Sequence, residues 1–538
     1  MTRGMVSAAQ PEAVEAGLEA LKAGGNAVDA AIATALVQTV VDPQMCGIAG
    51  FGCLHVYDPR RGIHECLDFH GRAPLATTPG MWEHLLVGES EDGFGFLLEG
   101  RVNEVGYGAI TSPMTLRALD EAINRYGSGS LAFSSLIEPA IDYAEQGFMV
   151  RPHVAAYWGQ VPTEGRAPHA EMLTSLPASR KIYAKADGSL RKVGEVLKNR
   201  DMGATLRRVR DHGVEDFYAG DIARRITADM TAHGGLIAEA DLAGARPETS
   251  EPLWGTYRGL RLATNRPPGG GVMLVEMLNI LETFDLKAMG HNSPDYIATV
   301  AEAMKIATVD KDTKVGDPRF VTVPLEELTS KAYAEALAAR IRRGEKTSVP
   351  RVKGSAKESA DTTHVVAVDA NGVIATMTHS LGTPSGVVTE GLGFMYNGAM
   401  AVFDPRPGRA GSLAPGKSRF SSLAPSILFK DDKPFLALGA PGGTYIAMGI
   451  LQVILNVVEF GMSAAEAVAA PRFNATSDTL DITNRVLRST EAELKRRGYP
   501  VRRWPLTFHF AGVHAIRIID GKLDGGADPG RDGMAMAV

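Results

Sequence analysis

Residues 344–378 read Gly344-Glu-Lys-Thr-Ser-Val-Pro-Arg-Val-Lys-Gly-Ser-Ala-Lys-Glu-Ser-Ala-Asp361-Thr-Thr-His-Val-Val-Ala-Val368-Asp-Ala-Asn-Gly-Val-Ile-Ala-Thr-Met-Thr378. The first half is polar, small and turn-prone, the composition of an exposed linker. It stops abruptly at Thr362, where a strand begins. The runs Thr362–Val368 and Val373–Thr378 flank Asp369-Ala-Asn-Gly, a strong hairpin signal. Val365–Val368 is an unbroken apolar run, which predicts a strand covered on both faces. Strands around 424–440 and 512–520, with a helix near 444–458, extend this to an α/β pattern of stacked sheets with helices outside.

The N-terminal sixty residues add helix, helix and strand. Val14, Leu18 and Leu21 fall at helical spacing, Gly24-Gly25 stops that helix, and Asn26 caps an alanine-rich one through Val40. The second helix is apolar nearly all round and so belongs inside. Gly52–Tyr57 and Gly62–Phe69, around Asp58-Pro-Arg-Arg, read as a hairpin. From Ser112 to about Arg343 helical patterns dominate, and residues 344–361 follow as a flexible linker.

A threonine at a linker–strand junction invites a chemical question. Its hydroxyl is a weak nucleophile unless a neighbouring base takes the proton. A chain-terminal threonine has that base in its own α-amine, whose reference pKa is near neutral. The amine at Thr362 exists only after the Asp361–Thr362 bond is cut. Most threonines at such junctions merely begin a sheet. In the hairpin, Thr362 falls opposite His379 or Leu381, which places Ser380 within about a residue of it. Ser380 there either orients the nucleophile or forms an ordinary cross-strand pair. Downstream, Gly442 and Gly443 in Leu438-Gly-Ala-Pro-Gly-Gly-Thr lie at a strand-to-helix junction, where backbone N–H groups favour an anion. A plain tight turn is the other reading.

Bulk properties exclude several classes. The 538 residues need one large or two intimately packed domains. A net charge of −6, without a basic cluster, argues against nucleic-acid and membrane partners. The N-terminus shows no signal-peptide core, and the apolar stretches Ala27–Val41 and Tyr445–Val457 read as too short and polar to span a bilayer. Three cysteines, Cys46, Cys53 and Cys66, suggest no disulfide framework, so a cytoplasmic setting is expected. Together with His55, His64 and His70 they match no zinc spacing, and no metal or cofactor is expected.

Gly24-Gly-Asn-Ala-Val-Asp-Ala-Ala, Asp361-Thr-Thr-His, Phe420-Ser-Ser-Leu-Ala-Pro, Gly439-Ala-Pro-Gly-Gly and Ala527-Asp-Pro, in this order, resemble the gamma-glutamyltranspeptidase family. Pro268-Gly-Gly-Gly, Ala301-Glu-Ala and Gly316-Asp-Pro-Arg-Phe extend the likeness through the middle. The resemblance implies the four-layer αββα sandwich of N-terminal-nucleophile hydrolases. It implies self-cleavage into a large subunit, 1–361, and a small catalytic subunit, 362–538, which stay associated as one structural unit. By the same carry-over Thr362 is the nucleophile, Ser380 its supporting hydroxyl, Gly442 and Gly443 the oxyanion hole, and Ser421 and Ser422 holders of a substrate carboxylate. Thr363 is the nucleophile only if the cut falls one bond later.

The chain departs from the family in the substrate pocket. Asp68-Phe-His-Gly-Arg-Ala-Pro places His70 where glutathione-cleaving members have arginine, and moves the arginine to Arg72. Val402 stands where the family carries the acid that pairs with the substrate α-amine, and Gly382 where it carries asparagine. Asp404, two residues on, reads as a solvated loop residue. An ammonium desolvated without an acidic partner is costly, so an α-amino substrate should be rejected. Arg72, His70, Ser421 and Ser422 are the expected substrate contacts. The expected activity is hydrolysis of a small carboxylate-bearing, oxamate-like amide. The alternatives are a glutathione hydrolase or gamma-glutamyltransferase, a non-catalytic scaffold, and related acyl cleavage at a C–C bond. About 17 residues separate Phe403 from Ser421, too few for a long lid, which favours hydrolysis over transfer. The sequence leaves the oligomeric state open.

Overall fold

Alternate side chains of the strand Asp361–Asp369 enter different cores, and this fixes the architecture. The computed structural model describes residues 4–91, 93–160, 166–352 and 361–538. Val365 and Ala367 pack with Val14, Leu18, Ile32 and Leu36 from the helices Pro11–Lys22 and Ala27–Val41. Val366 and Val368 point the other way, against Ile427, Phe429, Ala437 and Ile516 of a second sheet. That sheet's Leu436 and Leu438 in turn face Val272, Ile297 and Ile450 on the helices Gly271–Leu281, Pro294–Lys314 and Ile446–Phe460. The layers therefore run helix, sheet, sheet, helix. The strand pleat sends successive side chains to opposite faces, so a strand buried on both sides must be apolar throughout.

The first sheet has seven strands, in the order Gly533–Ala537, Gly4–Ala9, Asp361–Asp369, Ile374–Gly382, Phe51–Asp58, Ile63–Phe69 and Glu248–Ser250. The second has six: Lys522–Ala527, His514–Ile519, Lys433–Gly439, Ser426–Lys430, Leu260–Thr264 and Leu253–Tyr257. Both predicted hairpins form, around Asp369–Val373 and between Phe51–Asp58 and Ile63–Phe69. Asn26 caps Ala27–Val41, its side chain accepting from the N–H groups of Val28 and Asp29, while Asp29 returns a bond to Asn26 N. Every residue of that helix is buried. Deleting Leu36 to alanine there should cost about 2–5 kcal/mol.

Three features differ from the sequence reading. Gly4–Ala9 is a strand, sandwiched between Asp361–Asp369 and the C-terminal Gly533–Ala537. Leu253–Tyr257 and Leu260–Thr264 form a hairpin inside a region read as helical. Residues 344–352 are not a loose tether: Thr347 N donates to Glu302 Oε2 (2.7 Å), Val349 N to Asp478 Oδ1 (2.8 Å), and Arg351 Nη2 to the Thr476 carbonyl (2.8 Å). The rest of the expected linker, 353–360, lies outside the described residues. The helical stretch Gly443–Phe460 is long and apolar enough to cross a membrane, yet 83% of it is buried inside the protein, as befits a core helix.

Candidate active site

The expected cut site, Asp361–Thr362, lies at an irregularity in the central ladder. Asp361 pairs with Gly382 and Thr363 with His379, so Thr362 sits at a bulge facing Ser380 and Leu381. The Thr362 hydroxyl donates to the Asp361 carbonyl at 2.6 Å and lies 3.1 Å from Ser380 Oγ. Ser380 Oγ also donates to the Asp361 carbonyl and accepts from Gly382 N at 2.8 Å. Two hydroxyls thus converge on the carbonyl preceding Thr362. Thr363 faces away, its Oγ1 accepting from Gln38 Nε2 at 3.1 Å in the helix-side layer. Gln38 Oε1 meets His379 Nε2 at 2.9 Å, and burial holds the His379 imidazole neutral, with its pKa lowered to about 3.

The Asp361 side chain has its own anchor. His169 Nε2 lies 3.2 Å from Asp361 Oδ2, and His169 Nδ1 donates to the Tyr157 carbonyl at 2.8 Å. Burial opposes charge on His169, but the Asp361 carboxylate overcomes it and raises the imidazole pKa above its ordinary value. Asp42, near Asp361, is pushed up to about 8 by burial, the Arg531 guanidinium only partly offsetting it. No sequence signal pointed to His169, because its partner is 192 positions away along the chain.

Thr362, Ser380, Ser421, Ser422 and Gly443 line one cavity of about 560 Å³. Gly442 and Gly443 adopt φ of 141° and 53° at the entry to Gly443–Tyr445 and Ile446–Phe460. These left-handed angles favour glycine, and a Cβ on Gly442 would come 2.7 Å from Ala511 Cα. The N–H groups of a first helical turn have no partner within the helix, which suits them to an oxyanion beside Thr362.

Two expected substrate contacts lie elsewhere. Arg72 does not line the cavity. It turns instead to Glu248 Oε1 (2.5 Å) and the Arg246 carbonyl (3.1 Å), while its backbone forms an isolated bridge with Ser418. His70 is buried behind the cavity wall and reaches it only through the Ser421 hydroxyl. Asp404 is not a solvated loop residue: it is buried and held by Arg406 Nη2 at 2.6 Å.

Arg419, two residues before Ser421, lines the cavity, as do Lys311, Arg351, Arg406 and Arg409. The Arg419 guanidinium lies 5.0 Å over the Phe51 ring and 5.3 Å over Phe94, and its Nε donates to the Phe420 carbonyl at 3.1 Å. A Cβ built on Gly382 would stand 3.2 Å from Arg419 Nη1, so the bare glycine, two residues after Ser380, leaves room for this arginine. Among the described residues, the three carboxylates lining the cavity are paired: Glu89 and Asp312 with Arg351, and Asp404 with Arg406. Val402 forms part of the wall. Nothing in the sequence marks Arg419's place, because its direction is set by packing on Phe51 and Phe94, far away along the chain.

Residues 13–538 match the model of the gamma-glutamyltranspeptidase family. The chain belongs to that family. An acylase ACY 1 proenzyme of a Pseudomonas species (strain V22) is 37% identical, over 100% of this chain and 94% of its own. A glutathione hydrolase proenzyme of Escherichia coli is 32% identical, over 98% and 90%. The crystal structure of a cephalosporin acylase from Bacillus halodurans superposes with a TM-score of 0.87 at 30% identity, covering 99% of this chain and 96% of that one. The protein is thus a gamma-glutamyltranspeptidase-family amidohydrolase, with the N-terminal-nucleophile hydrolase fold.

Proposed function

We propose that this protein cuts itself before Thr362 and then hydrolyses amides whose acyl half carries a distal carboxylate and no α-ammonium. In maturation the Thr362 hydroxyl attacks the Asp361 carbonyl carbon, the C–N bond breaks, and water hydrolyses the resulting ester. The convergence of Thr362 and Ser380 on that carbonyl supports this step, and relatives named as proenzymes are consistent with it. In turnover the Thr362 amine takes the hydroxyl proton as Oγ1 attacks the substrate amide. The Gly442 and Gly443 N–H groups receive the oxyanion, the amine leaves with the proton, and water releases the acid.

One observation carries the choice of acyl group: Arg419 lines the same cavity as Thr362, and the cavity carboxylates among the described residues are held by Arg351 and Arg406. A guanidinium offers a carboxylate two parallel hydrogen bonds. Among the described residues, an α-ammonium would find Val402 and only carboxylates already paired with arginine. Removing the α-amine from a γ-glutamyl group leaves glutaryl. Oxamate is the smallest acid of this class and leaves most of the 560 Å³ cavity empty, so succinyl and glutaryl amides fit it better. The likeness to proteins named as acylases agrees with this reading.

The test compares glutaryl- and γ-glutamyl-p-nitroanilide, with ammonia release from oxamate measured alongside. The expected result is a kcat/KM for glutaryl at least tenfold above γ-glutamyl. Preference for γ-glutamyl would instead identify a glutathione hydrolase.

A further inference from the structure

Behind the cavity wall, Asp68, His70 and Ser421 form a chain that the threonine mechanism does not use. Asp68 Oδ1 accepts from His70 N, and Asp68 Oδ2 lies 2.9 Å from His70 Nδ1. A carboxylate only accepts, so Nδ1 carries the hydrogen, and in the neutral imidazole Nε2 presents a lone pair. That Nε2 is hydrogen-bonded to the Oγ of Ser421, a residue that lines the same cavity as Thr362. The imidazole is completely buried, stacked near Phe51 at 6.4 Å, and cannot swing out to solvent. Asp68 sits on the strand Ile63–Phe69, whose pairing with Phe51–Asp58 fixes its direction.

These are the parts of an activated serine: a hydroxyl, a base holding its proton, and a carboxylate fixing the base's tautomer. A structural hydroxyl pair would need none of this ordering. We propose that Ser421 is a second acyl-accepting nucleophile in this cavity, with His70 as its base, and that it takes activated carboxylic esters. Ser421 Oγ bonds to the ester carbonyl carbon as its proton passes to His70 Nε2. The tetrahedral adduct collapses, the C–O bond to the alcohol breaks, and the alcohol leaves with the proton from Nε2. Water, deprotonated by the same Nε2, then releases the acid and restores Ser421. Because no α-amine takes part, this centre works in the uncut chain. The inference rests on the cavity being the acyl site, not on the identity of the acyl group.

The experiment uses the full-length T362A chain, which lacks the threonine nucleophile. It is treated with a fluorophosphonate, which transfers its phosphonyl group to serine with loss of fluoride, and the labelled peptide is located by mass spectrometry. One label per chain on Ser421 is expected, with slow turnover of p-nitrophenyl esters. Adding S421A should abolish both, and adding H70Q should slow labelling at least 100-fold. Since His70 is buried, D68N provides a second variant, expected to slow labelling while the melting temperature stays within a few degrees. No label on Ser421 in T362A, or labelling unaffected by both H70Q and D68N, overturns the proposal. Loss of amidase activity in T362A reports separately on the threonine reading.

Discussion

Replacing Arg419 by methionine deletes a charge at the cavity wall while keeping an unbranched side chain against Phe51 and Phe94. If Arg419 receives the substrate carboxylate, the loss is that of a charge-assisted pair in a desolvated pocket. A hydrogen bond to a charged group contributes about 1.5–3 kcal/mol, and a bidentate pair in a buried site about 3–5 kcal/mol. At about 1.4 kcal/mol per decade, R419M should lower kcat/KM for glutaryl-p-nitroanilide roughly 100- to 3000-fold. Butyryl-p-nitroanilide carries no carboxylate and tests the same catalytic machinery. Its kcat/KM should change by less than about threefold, because an apolar acyl end makes no ion pair with the guanidinium. The assay is anilide release at fixed pH, on protein shown by mass to be cut. Equal loss on both substrates would refute the reasoning and give Arg419 a structural role. Unchanged glutaryl turnover would place the carboxylate elsewhere.

Other outcomes follow from the same geometry. V402D places an acid on the cavity wall and should raise the γ-glutamyl to glutaryl ratio of kcat/KM at least tenfold in the same assay. In the uncut T362A chain, adding H169A leaves the buried Asp361 carboxylate without its imidazole. Urea unfolding should show about 1.5–3 kcal/mol of destabilisation, the loss of one hydrogen bond to a charged group. Asp42 has a folded pKa of about 8 against an ordinary value of 3.8, so the folded state holds the proton more tightly. That contribution is complete below about pH 4 and is lost as pH rises through 8. D42N should therefore flatten the fall in melting temperature between pH 5 and 9; an unchanged slope would show that Asp42 does not set it.

Much of the fold was legible because burial on both faces leaves a plain mark. Val365–Val368 could only be a strand between two cores, and the Asn26 cap with its all-apolar helix could only be internal. Gly4–Ala9 was illegible because a short run of small residues owes its strand form to the neighbours it pairs with, 357 and more positions away. At the site, the hairpin register brought Thr362 to Ser380 from local pattern alone. The direction of a side chain is a different matter. Arg72 and Arg419 are both arginines in family-like segments, and only tertiary packing turns one out to Glu248 and the other in over Phe51. The His169–Asp361 and His70–Ser421 contacts join residues 192 and 351 positions apart and left no periodic trace.

The central claim is that Thr362 becomes a chain terminus and the nucleophile. Intact mass and N-terminal sequencing of the purified protein test it most directly. Two associated fragments of about 38 and 19 kDa are predicted, the smaller beginning Thr362-Thr-His-Val, and T362A should stay uncut and lack amidase activity. A wild-type protein that hydrolyses amides while remaining a single 538-residue chain, or a small fragment beginning at Thr363, would contradict that claim.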